Sequence, residues 1–107
     1  MTVCYQIYCG LDSNGFEVDT EALVYKLASK YFPDGYSVRE EQGSWLSRET
    51  GETIREKTLV VTWYVSDHDK LEGQAHKQVS RFAGAYKTHG YQEAVLVVSH
   101  ECYGVTV

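Results

Sequence analysis

The sequence is short of most features that announce a particular chemistry. It has one proline and three cysteines in 107 residues, and its longest apolar runs, such as Val95 to Val98, fall far short of the ~20 residues that span a bilayer. With no proline-rich linker, repeat or low-complexity tract, the chain reads as a single domain over residues 1–107. Cys4, Cys9 and Cys102 are odd in number and sit at no disulfide-framework spacing, which points to a reducing compartment. The start of the chain, Met1 to Gln6, lacks the basic and apolar segments of a signal peptide, so the expectation is a cytoplasmic protein with no membrane contact. Lys and Arg total ten against fifteen Asp and Glu, a net charge of −5 that gives no electrostatic footprint for generic nucleic-acid binding. There is no glycine-rich phosphate loop, dinucleotide fingerprint, zinc-protease motif or supported Ser/His/Asp set, so no catalytic residue and no cofactor is assigned from motifs.

What is present is clear periodicity. Residues 3 to 9 alternate Val3, Tyr5, Ile7 and Cys9 against Cys4, Gln6 and Tyr8, a strand pattern broken at Asp12 to Gly15. Asp19 is placed to cap a helix over 20–31 with the stripe Leu23, Val24, Leu27, Ala28 and Tyr31, and Pro33 stops it. A second strand is predicted over 36–46, with a bulge or bend near Gly43, and a hairpin turn around Gly51 leads to a third strand over 53–65. The third strand is apolar on both faces, which predicts a central position in the sheet. Ser66 and Asp69 have capping-box spacing, and Leu71, Ala75, Val79, Phe82 and Tyr86 mark a helix ending at Gly90. The last strand is expected from near Ala94, with an extension through Tyr103, Val105 and Val107.

Strand, helix, strand, strand, helix, strand is the order of an α+β, ferredoxin-like fold: a four-stranded antiparallel sheet with two helices on one face and a long hairpin between its second and third strands. The other sheet face is left open, to be closed by a second copy, a ligand or polar side chains.

Several short pieces in register carry a family resemblance: Tyr8, Gly10 and Leu11; Phe32, Pro33, Asp34 and Gly35; Gln42, Gly43 and Trp45; Gly51, Arg55 and Glu56; Tyr86, Gln92, Glu93, Val95 and Leu96. Across nearly its whole length the chain resembles the small bacterial proteins grouped as domain of unknown function 3574. The resemblance implies a shared fold unit and no particular reaction.

Candidate site residues follow from the open face and the hairpin. Arg55 can hold a carboxylate or phosphate through its planar guanidinium above a floor of Trp45, or else pair with a carboxylate such as Asp34. Arg55 and Glu56 alternate, so they point to opposite faces of a regular strand. Nine tyrosines are the most unusual compositional feature, and Gln6, Tyr8, Thr62 and Tyr64 should share the face away from the helices. Cys4, Cys9, His100 and Cys102 fall on neighbouring strands, yet Cys4 and Cys9 point opposite ways, so no metal site is expected. His68, His76 and His89 fall at a helix start, on its surface and near its end.

The leading expectation is a small non-catalytic binding protein and homodimer. Its ligand would be a small anionic or nucleotide-like molecule held by Trp45, Arg55, Arg39, Tyr8, Tyr64 and Gln92, with Lys57 as a further cation. Such a domain would suit a sponge or inhibitor, for instance a phage-encoded one. A protein partner is the alternative occupant. An enzyme of the dimeric α+β barrel type, with Asp34, Glu56 or His100 as acid and base, is the alternative from another class.

Overall fold

The structure, a computed structural model, describes residues 1–103. Its elements are β1 (Thr2–Gly10), α1 (Thr20–Tyr31), β2 (Ser37–Leu46), β3 (Thr53–Val65), α2 (His68–His89) and β4 (Leu96–Cys102). The strands form one antiparallel sheet in the order β2-β3-β1-β4, the ferredoxin-like arrangement expected from the element order, with β3 internal.

Side-chain alternation sets which face of the sheet is buried. Val3, Tyr5, Ile7 and Cys9 of β1 stand opposite Val65, Trp63, Val61 and Leu59 of β3, and this face packs with Val24, Leu27 and Ala28 of α1 and Ala75, Val79, Phe82 and Tyr86 of α2 in one cluster. Phe32, just past α1, packs its ring at a tilt 4.7 Å from Trp63 and 5.3 Å from Phe82, so the first helix ends inside the core. Cys4, Gln6 and Tyr8 share the other face with Tyr64, Thr62 and Val60, as the alternation predicts.

Asp19 caps α1 as expected, its carboxylate accepting the Ala22 N–H at 3.1 Å. The expected capping box of α2 does not form. Asp67, not Ser66, precedes the helix, and its left-handed backbone (φ 52°) makes no side-chain cap bond. The start of the chain takes over that role: the Met1 carbonyl accepts the His68 N–H at 3.0 Å, and the terminal amine lies 3.5 Å from the Asp69 carboxylate. Nor is there a bulge at Gly43. The β2–β3 register is constant from Ser37 opposite Thr62 to Leu46 opposite Thr53, because Val38 against Val61 and Trp45 against Ile54 anchor the ladder on both sides of the glycine.

β4 starts at Leu96 rather than Ala94, since residues 90–95 are drawn into a loop in which the Gln92 N–H donates to Lys87 O at 3.0 Å. The expected extension through Val105 and Val107 lies outside the described residues. All three cysteines are free thiols, and no helix among the described residues is long and apolar enough to cross a membrane.

Burial pushes the Cys9 thiol up to about 12 and also raises the Tyr86 phenol. Both groups keep their protons in the folded state at a pH where the unfolded chain has lost them. Stability is therefore full below the ordinary thiol range and falls from about pH 9 upward through pH 12. Thermal melts at increasing alkaline pH should show this decline, with a shallower slope for Cys9→Ala.

Candidate functional site

A cleft opens where the strands end unevenly. β1 stops at Gly10, opposite Thr58, while β2 and β3 run on to Leu46 and Thr53. One further bond, Leu11 N–H to Lys57 O at 3.0 Å, leads the chain off the ladder. The free hairpin arm carries Trp45 on the open face, across from the loops at 12–14 and 92–94. The space between them has a volume of about 470 Å³, walled chiefly by Tyr8, Trp45, Glu56, Gln92 and Leu96 above the Gly10 backbone. That volume falls within the range of small-molecule sites.

The floor is fixed by hydrogen bonds around a residue with no side chain. The Glu56 carboxylate accepts the Asp12 N–H at 3.1 Å and lies against Gly10, where a Cβ would overlap it and would also come within 3.0 Å of the Gln92 carboxamide. The hydroxyl of buried Tyr86 donates to the Gly10 carbonyl. Gln92 donates from Nε2 to Asp12 O at 2.6 Å and to Gly90 O at 2.9 Å, so one amide joins the two loops. At the rim, Phe16 and Tyr91 stack at 3.9 Å with planes 8° apart. Tyr91 holds φ 54°, a left-handed conformation that costs a bulky residue on the order of 1–3 kcal/mol and persists because its surroundings hold it. The Asn14 side chain, donating to the Tyr91 carbonyl, is part of that hold.

Three of the six residues expected to bind a ligand meet here: Tyr8, Trp45 and Gln92. Three do not. Arg55 stands opposite Ser44 on the other face of the hairpin and makes no ion pair among the described residues, with Asp34 or otherwise. Arg39 is on the open face but opposite Val60, and its guanidinium is paired with Glu41 at 3.0 Å. Tyr64, 61% exposed, lies opposite Cys4 toward the far end of β1. Lys57 is likewise turned away and held 2.9 Å from Glu40.

Of the acid–base candidates, Glu56 lies in the cleft, whereas Asp34 is in the turn after α1 and His100 stands opposite Cys4. No cluster among the described residues could hold a metal ion. Asp12, Asn14, Thr58 and Ala94 line the cleft with no functional signal in the sequence beyond adjacency to a turn or strand, and Leu96, also there, carries only the family resemblance.

The contact at Gly10 yields a test. Gly10→Ala should displace the Glu56 carboxylate and cost about 1–3 kcal/mol in chemical denaturation, the usual range for overpacking. Gly84→Ala, on the exposed side of α2 with nothing near its added Cβ, should instead leave stability unchanged or raise it by up to about 1 kcal/mol. Equal effects of the two substitutions would remove the special role of Gly10.

Among solved structures, a phage SAM lyase in complex with S-methyl-5'-thioadenosine is similar with a TM-score of 0.69 at 16% identity, over 94% of this chain and 81% of that one. CutA1 from Pyrococcus horikoshii OT3 is similar with a TM-score of 0.52 at 11% identity, over 99% and 87%. A B. subtilis GlnK–ATP complex is similar with a TM-score of 0.52 at 12% identity, over 92% and 84%. At these identities the likeness establishes the fold. No curated protein matches the sequence. The family described as protein of unknown function (DUF3574) matches residues 6–103, nearly the whole chain, and the chain belongs to it.

Proposed function

We propose that the cleft beside Gly10 binds a small nucleoside ligand of the adenosine thioether or sulfonium kind, its base against Tyr8 and Trp45 and its polar edge toward Gln92 and Glu56. The observation that carries this reading is the pairing of two aromatic walls with a fixed amide and carboxylate in a cavity of about 470 Å³. Trp45 is 47% exposed and Leu96 60%, apolar surface that a ring would cover. The fold is shared with a phage SAM lyase that holds S-methyl-5'-thioadenosine and with a GlnK that holds ATP, which supports a nucleoside among small-ligand classes. An anionic ligand is disfavoured. The wall carries Asp12, Glu56 and Glu93 and no basic side chain, while Arg55, Lys57 and Arg39 are turned away or paired.

The expected homodimer keeps its support from β4, an edge strand on which Leu96, Val97 and Val98 are all exposed in the single chain. A second reading, acid–base catalysis in the same cleft, is favoured by the presence of Glu56 at the wall of a ligand-sized cavity.

Native mass spectrometry with S-methyl-5'-thioadenosine and, separately, adenosine 5'-monophosphate tests the reading. The expected result is a dimer retaining one thioadenosine per chain and none of the monophosphate. Retention of neither would refute the nucleoside site, and retention of the monophosphate alone would restore the anionic ligand. Incubation with S-adenosylmethionine separates the two readings: a binding protein returns it intact, whereas an enzyme splits its sulfonium C–S bond as the substrate's own carboxylate displaces the thioether, giving S-methyl-5'-thioadenosine and the amino-acid fragment as its lactone.

A further inference from the structure

Glu56 differs from the other two carboxylates of the cleft. Asp12 uses Oδ1 to accept the Asn14 N–H at 2.9 Å, closing its own turn, and Glu93 is exposed in the loop before β4. Glu56 is half-buried, on a central strand, with Oε1 fixed by the Asp12 N–H at 3.1 Å. Among the described residues its Oε2 has no protein hydrogen-bond partner, and no Lys or Arg lines the cavity to neutralise it. The nearest cations in the strand pairing are diverted: Arg55 and Lys57 alternate onto the opposite face, and Lys57 is closed off by Glu40 at 2.9 Å. Tyr8 and Trp45 line the same cavity, and the face of an aromatic ring attracts a cation as well as stacking with a base.

Carboxylate, aromatic walls and missing counter-charge act in the same direction. We propose that the cleft selects a nucleoside carrying a positive charge on its 5' substituent, a sulfonium or an amine, over the neutral thioether, and that Glu56 is the residue that reads the charge. This rests on the nucleoside reading of the cleft and goes beyond it by fixing the charge of the ligand. A fixed carboxylate in a partly dehydrated wall gains from a cation that it meets and gives up hydration without return beneath a neutral group, so its effect is on discrimination more than on overall affinity.

The test compares two compounds of matched shape by calorimetry: sinefungin, in which an amine-bearing carbon replaces the sulfur and no sulfonium bond can break, and S-adenosylhomocysteine, the neutral thioether. Wild type should bind sinefungin about tenfold or more tightly than the thioether, a difference of about 1.4 kcal/mol. Glu56→Gln keeps an oxygen for the Asp12 N–H and removes only the charge. It should bring the two affinities together, and an unchanged thermal melt shows that the variant is folded. In wild type the preference should shrink as salt is raised. Equal affinities in wild type, or a preference that survives in Glu56→Gln, would overturn the charge-reading role while leaving the nucleoside site intact. Failure of both compounds to bind would overturn the nucleoside reading, and this inference with it.

Discussion

The hydrogen bond from the Tyr86 hydroxyl to the Gly10 carbonyl ties the last turns of α2 to the last residue of β1, and the cleft is assembled around that junction. Tyr86 has no exposed surface, so its hydroxyl must find a partner inside the protein, and an unpaired one would cost about 1–3 kcal/mol. Because Gly10 lacks a side chain, the Glu56 carboxylate can lie directly against it and the Gln92 amide can reach across to Asp12. Helix, central strand, hairpin and the loop before β4 thus converge within one small region. The core below and the cavity above use the same residue.

The sheet divides labour between its faces. Toward the helices it presents Val3, Tyr5, Ile7 and Cys9 with their partners on β3, a continuous apolar layer. Away from them it presents Gln6, Tyr8, Thr62 and Tyr64, and at the hairpin end Trp45 and Glu56. The single-residue alternation of a strand puts Glu56 into the cleft and removes Arg55 from it. Register brings Glu56 to Asp12 and Glu93 of the two loops, and the cavity is acidic without any segment being unusually acidic.

The element order and both faces of β1 were legible from alternation alone, and the helix stripes from their three-and-four spacing. What local pattern could not reveal was long-range contact. The Ser66/Asp69 spacing resembles a capping box, yet the Met1 carbonyl, 67 positions before His68, fills the place. Gly43 reads as a break because glycine weakens strands, and the cross-strand neighbours hold it in register regardless. His68 reads only as a residue at a helix start, but its ring lies 2.6 Å from the buried Tyr5 hydroxyl. For the site, Tyr8, Trp45 and Gln92 were legible as aromatic or amide groups near strand ends. Asp12 and Asn14 looked like plain turn residues, and their position over the cavity depends on the stop of β1 at Gly10, which fixes the loop relative to the hairpin.

The central claim is that ligand recognition occurs at the hairpin end of the open face. Amide and indole resonances recorded during titration with S-methyl-5'-thioadenosine test it most directly, because the two tryptophans report on different places: Trp45 on the cleft and Trp63 on the core. Saturable shifts of the Trp45 indole, the Gln92 side-chain amide and the Gly10 N–H are expected, with Trp63 and Tyr64 unmoved. Shifts centred on Tyr64 and His100, or none at all, would contradict it.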